Sequence, residues 1–113
     1  MRIVLDENLP RPLTLIFEPD DSVVTVQELG FSGMANGELL AELEGDHDVF
    51  VTGDKNLRYQ QNLAGRTLAI VELPTNRLPV LTRMTAAIVS AVTAATAGSY
   101  TVVPLPVAPA SEG

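Results

Sequence analysis

Two short apolar runs end in acid, and a third acid opens the Leu-rich segment between them. Arg2-Ile3-Val4-Leu5 runs directly into Asp6-Glu7-Asn8, and Asp48-Val49-Phe50-Val51-Thr52 passes through Gly53 into Asp54-Lys55-Asn56. Asn36-Gly37-Glu38 precedes Leu39 and Leu40. Apolar runs of this length suit strands buried on both faces. In open α/β sheets, ligands bind in the crevice outside the carboxyl ends of such strands. Asp6, Asp54 and Glu38 are therefore the candidate catalytic and metal-ligating acids. Unpaired carboxylates about 4 Å apart repel by about 4 kcal/mol at an effective dielectric of about 20, so a cluster calls for a cation or water to relieve it. Hard oxygen donors suit Mg²⁺ or Mn²⁺. The matching chemistry is metal-assisted hydrolysis of a phosphodiester.

Around these acids stand residues able to orient water, phosphate or a base. Asn8, Asn36 and Thr52 supply neutral donors and acceptors, while Lys55 and Arg58 supply positive charge. Asn56 to Gln61 combines a cation, a ring and amides, a mixture able to stack a base and hold phosphate. Each has a plainer role open to it. Asp6 is placed to accept backbone N–H groups at the start of the next helix, and Asp54 to cap the helix after it. Glu38 is favoured in a first helical turn by the dipole alone. Glu7 reads as a solvated neighbour, and Glu72, after the fourth strand, is an acid by position only. His47 has no second His to share a zinc ion with.

The elements that position these residues alternate. Ile3–Leu5, Val23–Val26, Asp48–Thr52, Thr67–Glu72 and Tyr100–Val103 read as strands, being apolar or β-branched and bounded by turn residues. Asn8–Glu18, with Pro10 and Pro12 in its first turn, reads as a helix. So do Gly37–Glu44, with Asn36 as its N-cap, and Asn56–Leu63. Pro79–Ala97 reads as one long helix, with Leu81, Met84, Ile88, Ala91, Val92 and Ala95 at helical spacing. Alternation of this kind predicts an α/β three-layer sandwich, a mostly parallel sheet of about five strands with helices on both faces. Right-handed crossovers then bring the ends of the first and third strands, and so Asp6 and Asp54, to one rim.

The chain has 113 residues, one domain's worth, with the domain expected over 1–103 and a flexible Pro-rich tail over 104–113. No cysteine is present, which removes disulfides and thiolate ligands. The net charge of −7 weighs against simple nucleic-acid binding, though not against an enzyme that grips phosphate through bound cations. The apolar stretch Leu78–Ala97 is interrupted by Thr82, Arg83, Thr85, Ser90, Thr93 and Thr96, too polar for a membrane span. With no basic-then-apolar leader at its start, the expectation is a cytoplasmic protein without membrane partners. The Ala-rich helix offers an apolar face wider than one sheet covers, which suits a homodimer.

Leu5-Asp6-Glu7-Asn8-Leu9, Asn36-Gly37-Glu38-Leu39-Leu40 and Val51-Thr52-Gly53-Asp54-Lys55-Asn56-Leu57 together resemble the small bacterial PIN-like domain proteins, relatives of the VapC-type toxin ribonucleases. The resemblance spans Met1 to about Val103. It implies a PIN-like fold, a site for Mg²⁺ or Mn²⁺, RNA as substrate, and a toxin–antitoxin setting in which a cognate antitoxin-like protein covers the site. By position, Asp6 matches the acid ending the first strand, Asp54 the acid after the Thr of the later strand, and Glu38 the helical acidic motif. One departure stands out: many relatives have Asp-Glu-Glu where this chain has Asn36-Gly37-Glu38. An amide orients water but supplies no charge. The alternative is thus a PIN-like interaction module that has lost catalysis. A phospho-acceptor receiver domain ranks third, because Thr52, Asp54 and Lys55 crowd one loop instead of ending separate strands.

Overall fold

The computed structural model describes residues 1–17, 21–60 and 65–106. Five strands form one all-parallel sheet in the order β2-β1-β3-β4-β5. They are β1 (Arg2–Leu5), β2 (Ser22–Thr25), β3 (Val49–Thr52), β4 (Ala69–Glu72) and β5 (Tyr100–Val102). In register, Leu5 lies beside Thr25 on one side and Val51 on the other, and Thr52 lies beside Glu72. Strands β3 and β4 are buried throughout, as central strands covered on both faces must be.

Alternation along the strands sorts the core into two layers. Ile3, Leu5, Val49, Val51, Ala69 and Val71 face one side. They pack there against Leu13 of a 3₁₀ helix (Arg11–Ile16) and against Leu81, Met84, Ile88 and Val92. Those last residues belong to α3 (Leu78–Arg83), to α4 (Thr85–Ala94), and to Met84 between them. Val4, Phe50 and Ile70 face the opposite side. They meet Leu39, Leu40 and Leu43 of α1 (Asn36–Leu43) and Leu57 of α2 (Leu57–Gln60). The result is the expected sandwich of helices on both faces of a parallel sheet. No helix among the described residues is long and apolar enough to cross a membrane.

Several elements differ from the sequence expectation, each for a local reason. The segment after β1 is a six-residue 3₁₀ helix instead of an α-helix. Pro10 and Pro12 supply no N–H, so Leu13 bonds to the Pro10 carbonyl in a tighter turn. The long helix is two helices with a break at Met84 (φ −103°, ψ 12°). Thr82 and Thr85 turn their hydroxyls back onto the carbonyls of Pro79 and Thr82, a pattern that competes with the helical ladder and bends it. The break leaves Leu81, Met84, Ile88 and Val92 all buried. The N-cap of α1 is Ala35, and Asn36 is the first helical residue. Residues 61–63 of the expected Asn56–Leu63 helix, Glu18 of the first helix and 107–113 of the expected tail lie outside the described residues.

Candidate functional site

Strand order reverses at β1. The chain leaves β1 for β2 on one side, then crosses back to place β3 on the other. The ends of β1 and β3 therefore flank the switch point, the crevice where open α/β sheets hold ligands. The ladder continues one residue past β1, with the Asp6 N–H donating to the Val51 carbonyl at 2.9 Å. By the two-residue repeat of a strand, Asp6 and Thr52 point to the α1–α2 side, the same side as Val4 and Phe50.

There the Thr52 hydroxyl donates to Asp6 Oδ2 at 2.7 Å, and the Glu7 N–H donates to Asp6 Oδ1 at 2.8 Å. The Thr52 oxygen in turn accepts the Asp54 N–H at 3.0 Å. One buried hydroxyl thus spans both candidate acids. Asp54 is held from two further directions: Asn36 Nδ2 donates to its Oδ2 at 3.2 Å, and the Asn56 N–H donates to its Oδ1 at 2.9 Å. The second bond is the turn-forming role open to any Asp at such a junction. The first is a long-range tie from α1 to the β3 loop.

Asp6 retains only 8% of its surface exposed. Burial pushes its carboxyl above the ordinary aspartate value. The Thr52 hydroxyl and the Glu7 N–H oppose this, and the negative charges of Glu7 and Asp54 reinforce it. The Asp54 carboxylate is thus near enough to Asp6 to disfavour its ionised form.

The remaining expected residues divide into those near this knot and those elsewhere. Asn8 Oδ1 accepts the Gly53 N–H at 3.2 Å and so braces the loop that carries Asp54. Glu7 turns its carboxylate to the Gly33 N–H, pinning the loop after β2. Glu38 is exposed in the first turn of α1, and Lys55 is exposed in the loop after β3. The Arg58 guanidinium lies 6.0 Å from the centre of the Tyr100 ring, toward β5.

A second buried polar contact escaped the sequence reading. Glu72, with 4% of its surface exposed, accepts the Tyr100 hydroxyl at 2.7 Å. Burial raises the Tyr100 hydroxyl above its ordinary value, and the Glu72 bond and charge raise it further. Because Thr52 and Glu72 are register partners, Asp6, Thr52 and Glu72 form a row across the C-terminal rim of β1, β3 and β4. The signal lay in the sequence: a strand-end acid after a wholly apolar run. Its partner did not, since Tyr100 is 28 residues away.

The donor set can be weighed against a divalent ion. Among the described residues, no three His, Asp or Glu side chains gather closely enough to hold one together. Two oriented carboxylates match the habits of Mg²⁺, which commonly takes one or two and completes its shell from water and phosphate. Of the three acids expected to ligate together, only Asp6 and Asp54 are tied to one another, through Thr52.

Comparison with protein-family models, with curated proteins and with solved structures finds no significant match to this chain.

Proposed function

We propose that this chain is a Mg²⁺- or Mn²⁺-dependent ribonuclease of the PIN-like type, with Asp6 and Asp54 as the ion-holding acids. The observation that carries the reading is the Thr52 hydroxyl, which bonds Asp6 and accepts from the Asp54 backbone at the switch point of the sheet. A divalent ion bound there supplies an activated water and charge stabilisation for the leaving oxygen of a phosphodiester.

The chain's own residues set the geometry. Thr52 and the Glu7 N–H fix the Asp6 carboxylate, and the Asn36 amide and Asn56 N–H fix that of Asp54. Each oxygen so engaged keeps a further lone pair for ligation. Glu38 adds negative charge from the first turn of α1, and Lys55, exposed beside Asp54, supplies a cation for the substrate phosphate. The motif resemblance extends this reading to a toxin whose antitoxin-like partner covers the acidic rim.

The test is cleavage of single-stranded RNA by the purified protein with Mn²⁺. Activity that disappears in Asp6→Asn supports the proposal, and intact RNA at high enzyme and metal concentration defeats it.

One observation favours a second reading, an interaction module without catalysis. Asn36 stands where many PIN-like proteins carry an acid, and its amide already occupies Asp54 Oδ2. Titration calorimetry decides between them, because this reading requires that no divalent ion bind.

A further inference from the structure

Asn36 and Gly37 are the first two residues of α1. Of the asparagines in the chain, Asn36 alone precedes glycine; Asn8, Asn56 and Asn62 precede Leu, and Asn76 precedes Arg. Asparagine is thermally labile because the next backbone nitrogen attacks its side-chain carbonyl carbon, and a following glycine, with no Cβ, leaves that approach open. Inside a helix the attacking nitrogen is tied to a carbonyl one turn back. Gly37 lies in the first turn, where N–H groups have no intrahelical acceptor, and none of the described residues accepts its proton. Both residues are half-buried, so water reaches them. The Asn36 side chain is also where a change would matter, since its Nδ2 donates to Asp54 Oδ2 at 3.2 Å.

We infer that Asn36 is a site of spontaneous deamidation in the folded chain, and that the carboxylate formed there sets two like charges against each other where an amide now ties α1 to the Asp54 loop. The Gly37 nitrogen gives up its proton to solvent base and bonds to Asn36 Cγ. The Cγ–Nδ2 bond breaks, and the nitrogen takes a proton from water and leaves as ammonia. A second water opens the five-membered imide at either carbonyl, which yields aspartate or isoaspartate at position 36. The balance is one water consumed and one ammonia released, with no oxidant or cofactor. The backbone rotation that the attack needs disturbs only the first turn of α1, and helix ends fray. The helix itself tolerates the product, because negative charge is favoured at its N-terminus. Asp54 does not: its Oδ2 loses a donor and gains a carboxylate neighbour, a pairing that calls for a cation between the two. The modification stands apart from the ribonuclease reading, and only the bridging cation rests on the ion site of that reading.

The experiment incubates the full chain at mildly alkaline pH, folded in buffer and unfolded in urea, and follows each asparagine by peptide mass spectrometry. A one-dalton gain is expected at Asn36 in both samples, with the other asparagines lagging behind it. The folded rate should lie within about tenfold of the unfolded rate, because opening a fraying helix end costs little. Asn36→Gln keeps the amide but must close a larger ring, so no gain is expected at that position. A gain at Asn36 confined to the unfolded protein overturns the inference. The second arm titrates Mn²⁺ alone into fresh wild type and into Asn36→Asp by calorimetry. Groups around a metal ligand commonly act on affinity by about 10–100-fold, and Asn36→Asp should bind more tightly by a factor in that range. Equal affinity, or no binding to Asn36→Asp, overturns the claim that the new carboxylate calls for a cation. Mn²⁺ held tightly by Asn36→Asp with no RNA cleaved upholds this inference and defeats the ribonuclease reading instead.

Discussion

The Thr52 hydroxyl lies 2.7 Å from Asp6 Oδ2, and 46 residues of chain separate the two. Both are buried, and the bond joins the ends of adjacent parallel strands at the one place where the sheet reverses its winding. The same oxygen accepts the Asp54 N–H, so a single side chain sets the positions of two acids. A hydroxyl suits this position because it donates and accepts at once.

Thr52→Val keeps the shape of the side chain and removes both bonds. The expected cost is about 1–3 kcal/mol for each buried group left without a partner. Thr52→Ser, which restores the hydroxyl, should recover most of it. Urea denaturation of the three proteins measures the difference, and a Val variant as stable as wild type would show that the hydroxyl carries no such load.

Asp6→Asn should separate stability from function. The Asp6 carboxyl titrates above its ordinary value near 3.8, so from that pH upward the folded chain binds more protons than the unfolded one. Stability from this group is then greatest below that value and falls as pH rises through the raised folded-state value. Asparagine cannot titrate, so the variant's stability should be flatter than that of wild type as pH rises from about 4 toward neutral. A variant whose stability falls with pH as steeply as wild type over that range contradicts the assignment.

Divalent ions should stabilise the wild type alone. With Mn²⁺ at about 100 times its Kd, linkage predicts a gain of about 2.7 kcal/mol, visible as a rise in Tm. Asp6→Asn and Asp54→Asn should each abolish the rise. The readout is thermal, so it speaks to the ion site independently of any RNA substrate.

Tyr100→Phe leaves the Glu72 carboxylate buried without its hydroxyl donor, at an expected cost of about 1–3 kcal/mol. Burial, reinforced by this bond, keeps the Tyr100 proton in place well past the ordinary tyrosine range. Ultraviolet titration should therefore show a late-ionising phenol in the wild type that is absent from the variant. A wild type with no late-ionising phenol would count against the contact.

Gly98→Ala tests the turn that feeds β5. Gly98 sits at φ +74°, and a methyl there would come 2.5 Å from the Arg66 carbonyl oxygen. Gly30, at φ +80°, has open space around it. Both substitutions carry the left-handed penalty of about 1–2 kcal/mol. Only Gly98→Ala adds a backbone clash, so it should be the more damaging of the two in thermal unfolding. Equal losses would mean the turn relaxes freely.

Much of the architecture was legible in the residues. The alternation of apolar runs with helical spacing predicts the parallel sheet. The strand-end positions of Asp6 and Asp54 predict that they share a rim, because right-handed crossovers leave little choice. Local backbone chemistry was harder to read. Two prolines turned an expected α-helix into a 3₁₀ helix, and threonine hydroxyls split another at Met84. In both places side chains compete with the backbone for the same carbonyls or withhold an N–H, a contest that hydrophobic periodicity does not register.

The order of residues dictates which groups this protein has to work with: acids at strand ends, a threonine beside them, no thiol, and an uncharged helix. Which of those groups become partners follows only from the folded chain. Asn36 reads as a helix cap and serves Asp54 instead, and Tyr100 reads as a strand residue and holds Glu72. The difference is one of reach. Propensity and periodicity act over a turn or two of chain, whereas a hydrogen bond across 18, 28 or 46 residues exists only once the sheet has brought its strands side by side.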